Sequence, residues 1–420
     1  MPPPGASLRP WSRQWAELDR RVWQLAFARS VNTMGLSLVM TFLAIYIVGT
    51  RGYPAWSYGV IALVANVGQS LSSAWAGNLS DRIGRLPLIT TSLIVRSAFI
   101  ALLGTQILLD APLWSLGLNM MITSALRGCF EPVAYALVAD VVRDDQRIAA
   151  FGLQRMGTNL GWTIGPALGG VLTLVIPYGY VFYLAAAGMV LAAVVTTRVV
   201  DPVARQDHAA VDGELRSALR ESIRDPAMRL LLAGTFLAAL LSTQLFSTFA
   251  IFMTDEVGLT KAEVGLLYTI NGAGVLLLQV PALALIHRVG IARALPWSSL
   301  IEAVAFGMIG AATGFSGAAV AMLAVTAAEV VFNPAHQTAI AETADPARRG
   351  RAYGVSGFVQ MVGIAAAPLL GGALFDSIGD HHLAMWTTIA TIGLAQTLCF
   401  TAFVRRRTPV IVAAVVTRQV

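Results

Sequence analysis

An internal repeat is the feature that most restricts how this chain can fold. Eight residues recur at a constant offset of 202 positions, and six of the eight are proline or glycine. They are Phe130, Pro132, Arg147, Gly152, Gly161, Pro166, Gly169 and Gly170, which recur as Phe332, Pro334, Arg349, Gly354, Gly363, Pro368, Gly371 and Gly372. Shared proline and glycine at a fixed offset indicate two copies of one structural unit. We therefore predict two similar halves in tandem.

Composition places both halves in a membrane. The chain is 56% hydrophobic and only 12% charged, whereas a soluble domain is about 25% charged. Twelve apolar stretches reach the roughly 20 residues that cross a bilayer. They are centred near Leu36, Asn66, Phe99, Ala125, Thr163, Gly188, Leu241, Val275, Gly307, Glu329, Gly363 and Gly393. The predicted fold class is an all-α integral membrane protein, with twelve transmembrane helices in two pseudo-symmetric six-helix bundles.

The polar segments set the predicted domain boundaries. One long polar segment separates the halves, and we predict a helix in it over 213–223. The predicted parts are a cytoplasmic N-terminal tail (1–21), an N-terminal bundle (22–199), a cytoplasmic linker (200–228), a C-terminal bundle (229–404) and a cytoplasmic C-terminal tail (405–420).

Basic residues predict the orientation. Of the 29 Lys and Arg residues, 24 lie on one predicted side, 3 lie inside helices, and the other side holds Arg51 and Lys261. By the positive-inside rule, both termini and the linker are cytoplasmic. The net charge of +6 then reflects orientation, and no basic stretch interleaved with aromatics predicts a nucleic-acid partner. The polar N-terminus lacks the apolar core of a secretory signal.

Cysteine and histidine predict no metal site or disulfide framework. Cys129 and Cys399 both fall within predicted spans, and the five histidines do not form a metal-ligand spacing. We expect no cofactor.

Charged residues inside predicted spans are the candidates for function. A central Arg, Asp or Glu costs about 2.5–3.5 kcal/mol on insertion scales, so such residues usually face the bundle interior and serve function or a partner. Five stand out, and Glu302 in span 9 is a weaker sixth. The five are Arg29, Arg96, Arg127, Glu131 and Glu329.

The repeat predicts which of these charged residues occupy equivalent positions in the two halves. Arg127 corresponds to Glu329, and Glu131 corresponds to Asn333, so span 4 of each half carries polar residues at positions i and i+4. This spacing puts each pair on one helix face, and in transporters with parallel repeats the substrate site lies at the interface between halves. Arg127 should favour the ionised form of Glu131, while Glu329 should be protonated more easily. A purely structural Arg127–Glu131 ion pair remains an alternative.

The segment Gly77–Arg85 carries a family resemblance. Its matching residues are Gly77, Leu79, Asp81, Arg82, Gly84 and Arg85, while Ser80 and Leu86 depart from the pattern. The chain resembles the major facilitator superfamily in its loop between spans 2 and 3, and within it the bacterial twelve-helix drug:proton antiporters. The resemblance implies a gating loop that holds the outward-facing state by docking onto span 11, and a location in the bacterial cytoplasmic (inner) membrane as a multi-pass protein.

Span 5 also resembles this family. The antiporter motif of the family is matched completely in span 5, by Gly161, Gly165, Pro166, Gly169 and Gly170. Small residues four apart let helices pack closely. Span 11 keeps nearly the same pattern, with Ala367 at the position of Gly165. Antiport is therefore favoured over symport, although much of the motif serves packing in both halves.

The polar and aromatic residues of the spans suggest a substrate class. We predict that the cavity lining includes Asn32, Asn66, Gln69, Gln244, Phe246, Phe249 and Asn271. Such a lining suits amphipathic, often cationic compounds, although interhelical packing would equally explain these residues. The predicted function is proton-driven efflux of lipophilic or amphipathic drug-like compounds by alternating access, with protons, a small-molecule substrate and the bilayer as partners and a monomer as the expected state.

Two other classes of function stay open. In a transporter of a small polar metabolite, such as an organic anion or a sugar, Arg29, Arg96 and Arg127 would clamp an anion. A non-transporting sensor or lipid-handling protein could use the same scaffold. A catalytic role is not predicted, because the sequence has no nucleophile elbow, phosphate loop or metal cluster.

Overall fold

A computed structural model describes residues 17–143, 146–199, 214–344, 349–378 and 381–416. Side chains are described throughout these ranges except at residues 74, 77, 78, 81, 139, 147, 148, 214–218, 349, 350 and 407–416. The predicted tails and linker fall partly outside the described residues, at 1–16, 200–213 and 417–420.

The described residues fold into helices, as the all-α prediction requires. In chain order they are α1 (Arg20–Ile45), α2 (Ala55–Ile83), α3 (Arg85–Leu108), α4 (Leu113–Val141), α5 (Arg147–Val175), α6 (Tyr178–Thr197), α7 (Glu214–Arg224), α8 (Pro226–Thr243), α9 (Thr248–Asp255), α10 (Lys261–Val289), α11 (Ile291–Ile309), α12 (Phe315–Thr343), α13 (Arg349–Ile378) and α14 (His382–Val416). With α8 and α9 counted as one interrupted span, the described part of the chain provides a membrane helix for each of the twelve predicted spans. The short helix α7 confirms the helix predicted in the linker.

Eight of these spans are long and apolar enough to cross a membrane by length and composition. The other four, α2, α4, α5 and α11, carry more polar or charged residues. The candidate charges occur in both groups of spans: Arg127, Glu131 and Glu302 lie in α4 and α11, whereas Arg29, Arg96 and Glu329 lie in α1, α3 and α12. The last helix continues to Val416, beyond the boundary at 404 that the sequence predicts for the second bundle.

The chain divides into two compact units. One comprises residues 1–40 and 67–209, and the other comprises 41–66 and 210–420. Residues 41–66, which the repeat assigns to the first half, thus belong to the second unit. The predicted bundle boundaries at 22–199 and 229–404 stay a prediction.

Glycines in α5 hold the first unit together. A methyl group at Gly161 would lie 2.8 Å from the backbone nitrogen of Met34 in α1, and one at Gly165 would lie 2.8 Å from the carbonyl oxygen of Met34. The Ser37 hydroxyl donates a 2.9 Å hydrogen bond to the Gly161 carbonyl. Because only glycine lets the two backbones approach this closely, this part of the antiporter-like motif acts as a packing surface for α1.

The second unit repeats this packing. At Gly363, which corresponds to Gly161, an added methyl group would lie 2.7 Å from the Ala239 side chain and 2.8 Å from the Phe236 carbonyl of α8. Helix α13 therefore packs on α8 as α5 packs on α1. The structural equivalence follows the proline and glycine repeat of the sequence.

The start of α2 is anchored to α13 within the second unit. The Asp376 carboxylate accepts hydrogen bonds from the backbone N–H groups of Ala55 and Trp56, each 2.8 Å long. A carboxylate at a helix N-terminus satisfies free N–H groups and complements the helix dipole. At Gly59 an added methyl group would lie only 2.5 Å from the Leu369 backbone. Only glycine fits at this position. These contacts explain why residues 41–66 belong to this unit.

We predict that Gly161→Ala destabilises the protein. The added methyl group meets backbone atoms of α1 that cannot move aside alone, so we expect a loss of about 1–3 kcal/mol in the free energy of unfolding. The control is Gly357→Ala in α13, where a methyl group meets nothing within 4 Å and alanine favours the helix by about 1 kcal/mol. Thermal unfolding of the two purified variants measures the difference, and equal melting temperatures would contradict the packing role.

Candidate functional site

The second unit contains a cavity that combines acidic, amide and aromatic groups. Its volume is about 220 Å³. It is lined by Thr235, Ala238, Ala239, Ser242, Leu245, Phe246, Glu302, Val325, Glu329, Phe332, Asn333, His336, Gln337 and Gln360. The lining comes mainly from α8, the turn after it and α12, with single residues from α11 and α13. A cavity in which polar groups converge beside apolar and aromatic side chains can bind a small molecule.

Glu329 lies on the cavity wall between two amide side chains. Asn271 in α10 donates to Glu329 Oε2 at 3.3 Å, and Asn333 donates to Oε1 at 3.4 Å. Asn271 also donates to the Thr326 hydroxyl at 2.9 Å. Helical spacing places Glu329 and Asn333 on one face, so the structure brings together the two residues that the repeat analysis had paired.

Phe246 reaches the cavity because the seventh span is interrupted. Residues Gln244–Phe246 form a 3₁₀ turn between α8 and α9, and Phe246 stacks on Tyr268 with ring centroids 5.8 Å apart. The Gln244 amide donates to the Ala367 carbonyl at 2.9 Å and accepts from the Thr248 hydroxyl at 2.7 Å. These bonds fix the turn that directs Phe246 into the cavity.

Of the seven predicted lining residues, Phe246 lines this cavity, whereas Gln244 and Phe249 are buried beside it. Gln244 and Phe249 are both 0% exposed. Gln244 ties α13 to the turn, and Phe249 packs edge-on against Tyr268. In this structure both side chains pack between helices, and their role in substrate binding stays a prediction. Asn271 lies behind Glu329 and orients it.

His336 is a cavity residue that the sequence analysis missed. It is buried on α12, and its Nε2 atom lies 2.7 Å from the Thr235 hydroxyl. Phe332 stacks on its ring, with centroids 5.3 Å apart, and Phe400 packs edge-on. The signal was available, since His336 lies seven residues after Glu329, which is two helical turns and therefore the same face.

Glu302 is more central than the sequence predicted. It is 3% exposed on α11 and lines the cavity. Gln396 in α14 donates to Glu302 Oε2 at 3.2 Å and to the Ser299 hydroxyl at the same distance. The cavity thus contains two carboxyl groups, each hydrogen-bonded to neutral amides.

The first unit contains a separate, predominantly basic cluster. Arg127 Nε donates to Glu131 Oε1 at 2.9 Å. Arg29 and Arg96 lie close enough to Glu131 to attract its charge. One carboxylate is therefore paired with Arg127 on the predicted face of α4 and lies within electrostatic reach of two further guanidinium groups.

Two of these arginines keep unused donors. Arg96 is 1% exposed, and its Nη1 donates to Asn32 Oδ1 at 3.2 Å. Arg29 donates to the Thr158 hydroxyl at 2.9 Å and stacks over Tyr135 at 4.0 Å. Within the described residues, Nη1 of Arg29 and both Nε and Nη2 of Arg96 are buried without a hydrogen-bond partner. Buried donors of this kind are unfavourable unless a ligand or water satisfies them.

Asn66 and Gln69 on α2 make local contacts. The Asn66 side-chain amide donates to the backbone carbonyl of Ala62, one turn earlier, at 2.8 Å. The backbone carbonyl of Gln69 accepts from the Ser72 hydroxyl at 2.9 Å. These bonds satisfy polar groups within the helix, and a role for the two residues in substrate binding stays a prediction.

Most of the predicted gating loop is helical: residues 77–83 form the end of α2, Gly84 alone lies between the two helices, and Arg85 begins α3. Gly84 has φ +94°, a conformation that glycine adopts easily. Arg85 forms an ion pair with Asp140 near the end of α4, and Arg82 is exposed. Gly77 and Asp81 lie among the residues whose side chains are not described. Docking of this loop onto α13 stays a prediction.

We predict that Glu131→Gln destabilises the first unit more than Arg127→Met. Without Glu131, three neighbouring guanidinium groups keep their repulsion and lose the carboxylate that offsets it. Without Arg127, Glu131 still has Arg29 and Arg96 nearby. Thermal unfolding of both variants and the double variant measures the coupling, which we expect at about 0.5–3 kcal/mol. Additive effects would contradict a direct pair.

Comparisons with known proteins agree with this architecture. The family described as Major Facilitator Superfamily matches residues 25–249 and 231–418. The protein named "Uncharacterized MFS-type transporter YqjV" of Bacillus subtilis (strain 168) is 24% identical over 413 residues, which cover 94% of this chain and 96% of that protein. The protein named "Multidrug resistance protein MdtH" of Aeromonas salmonicida (strain A449) is 27% identical over 393 residues, covering 90% and 93%.

Solved structures support the same fold. The crystal structure of the nucleoside transporter NupG matches with a TM-score of 0.76 at 13% identity, covering 92% of this chain and 99% of that one. A bacterial homolog of the human lysosomal transporter Spinster matches with a TM-score of 0.68 at 16% identity, covering 95% and 97%. These likenesses show the fold alone. With the family match over nearly the whole chain, they establish that the protein belongs to the Major Facilitator Superfamily and is a multi-pass membrane transporter.

Proposed function

We propose that the protein exports lipophilic or amphipathic cations in exchange for protons. The observation that carries this proposal is the cavity of the second unit, where the Glu329 carboxyl group faces the same space as the aromatic rings of Phe246 and Phe332. Carboxylates attract a cation, and aromatic faces bind both its charge and its apolar body.

Glu329 is the proposed coupling residue. Asn271 and Asn333 donate hydrogen bonds to its two carboxylate oxygens and hold the carboxyl group at the cavity wall. In the membrane interior a carboxylate is stabilised either by a cation or by binding a proton. A bound organic cation and a proton therefore compete for Glu329, and this competition is the basis of exchange.

The names of relatives support efflux as the direction. Several relatives 26–27% identical to this chain are named multidrug resistance protein MdtH. The antiporter-like motif of α5 points the same way, although its first glycines serve helix packing. The proposed location is the bacterial cytoplasmic membrane with both termini inside, on the basis of the charge distribution.

We predict that Glu329→Gln abolishes proton-coupled export. The amide keeps the size and hydrogen-bonding shape of the side chain but cannot exchange a proton. The assay is proton movement in inside-out vesicles on addition of N-methyl-4-phenylpyridinium, an amphipathic monocation. Wild-type protein should release protons from acidified vesicles, and the variant should not.

The matched control is Glu342→Gln. It makes the same chemical change on the same helix, at an exposed position away from the cavity. We expect wild-type export from this control. Normal coupled export by Glu329→Gln would exclude Glu329 as the coupling residue.

A small organic anion is the second candidate substrate, and the first unit favours it. The unused guanidinium donors of Arg29 and Arg96 are buried among the described residues, and a guanidinium group binds carboxylate or phosphate with parallel hydrogen bonds. This arrangement would suit a transporter of an acidic metabolite.

We predict that, if this second function is correct, organic acids stabilise the wild-type protein against thermal unfolding and stabilise Arg96→Lys less. Lysine keeps the charge but loses the planar fork of donors. Arg288→Lys, at the end of α10 and outside the cluster, is the control. If no organic acid in a panel of mono- and dicarboxylates raises the melting temperature of the wild type, the anion function is excluded.

A further inference from the structure

Glu302 is an acidic group that the proposed exchange at Glu329 does not use. It lines the same cavity from α11 and is 3% exposed. Among the described residues, no Lys, Arg or His forms an ion pair with it; the described hydrogen bond to its side chain comes from the Gln396 amide. A buried carboxylate without a cation is unfavourable, so the group is stabilised by a proton or by a cation that enters the cavity.

Gln396 lies where it can form a hydrogen bond with either the ionised or the protonated form of Glu302. Its Nε2 now donates to Glu302 Oε2 and to the Ser299 hydroxyl. Its Oε1 is buried and has no hydrogen-bond partner within the described structure. If the amide group rotates by about 180°, its oxygen takes the place of its nitrogen. The oxygen can then accept a hydrogen bond from the O–H of a protonated carboxyl group. Gln396 can therefore hydrogen-bond to Glu302 whether the carboxyl group is ionised or protonated.

The surroundings of Glu302 are otherwise acidic or neutral. The titratable side chains on the cavity wall are Glu302, Glu329 and His336, and the two carboxyl groups interact electrostatically. His336 is engaged with the Thr235 hydroxyl. Two neighbouring carboxylates repel each other, so the charge of one favours protonation of the other, and a doubly charged cation favours ionisation of both.

We infer that Glu302 is a second proton-binding carboxyl group of the cavity, held in position by Gln396, so that the site exchanges two protons for one dication. This inference rests on the proposed exchange of protons for organic cations at Glu329. The charges balance: each carboxylic acid releases one proton to water, and the two resulting carboxylates offset the two positive charges of the bound substrate.

The test compares two rigid cations of similar shape, N-methyl-4-phenylpyridinium with one charge and N,N′-dimethyl-4,4′-bipyridinium with two. Proton release on binding is measured for the purified full-length protein in weakly buffered solution. For wild type we expect about one proton per bound monocation and about two per bound dication, because each carboxylate formed must lose its proton. Glu302→Gln should lower the second value to that of the monocation, weaken dication binding at least roughly tenfold (about 1.4 kcal/mol), and leave monocation binding unchanged.

Two further variants separate proton binding from structure. Glu302→Asp keeps a carboxyl group and should keep the second proton. Gln396→Met removes the charge-assisted hydrogen bond that favours the carboxylate, so dication-driven release of the second proton should require a higher pH, while the pH profile with the monocation stays unchanged. Gln396→Met also provides the readout if Glu302→Gln does not fold. Glu342→Gln is the control for carboxyl loss outside the cavity.

The outcomes distinguish the two proposals. Release of a second proton by a folded Glu302→Gln, or only one proton per dication from wild type, would overturn the role of Glu302 and leave the exchange at Glu329 intact. An unchanged dication pH profile in Gln396→Met would overturn the positioning role of Gln396. Absence of proton release from wild type with either cation would overturn the proposed function itself, and this inference with it.

Discussion

In the hydrocarbon core of a membrane, a polar group must find its partner inside the protein. Apart from the unpartnered guanidinium donors of Arg29 and Arg96, the described charged residues meet this requirement in two ways. In the first unit a charge is neutralised by an opposite charge, as in the Arg127–Glu131 pair. In the second unit, acids are bonded to neutral amides, as Glu302 is to Gln396 and Glu329 to Asn333. The first arrangement fixes a charge permanently, whereas the second leaves it open to exchange.

The repeat shows which features both halves need and which only one uses. Gly161 and Gly363 are identical and make equivalent close contacts with the first helix of their own half, because a side chain there would collide with it. Arg127 and Glu329 occupy equivalent positions and carry opposite charge. Helix packing is thus common to both copies, while the polar positions of α4 and α12 have diverged. The sites of function are therefore expected where the repeat differs.

The sequence could predict features that depend on spacing along one helix. The twelve spans, the glycine packing surfaces and the shared face of Glu329 and Asn333 follow from periodicity and from the offset of 202 residues. The sequence could not predict how each helix is rotated about its axis. Gln244 and Phe249 look like lining residues by composition, yet the 3₁₀ turn directs them between helices and leaves Phe246 at the cavity. The turn depends on a hydrogen bond to Ala367, more than 120 residues away.

The contrast between the two clusters bears on the identity of the titrating group. Glu131 lies among three arginines, so its charge is offset in every state in which that cluster persists. Such a carboxylate gains little from a proton and is poorly suited to exchange one. Glu302 accepts a hydrogen bond from a neutral amide and is repelled by Glu329, so a proton or an entering cation stabilises it. Because exchange requires two ligands that compete for one charge, the acids of the second unit are the better candidates for coupling, and the arginine cluster is better suited to order its own helices or to bind an anion.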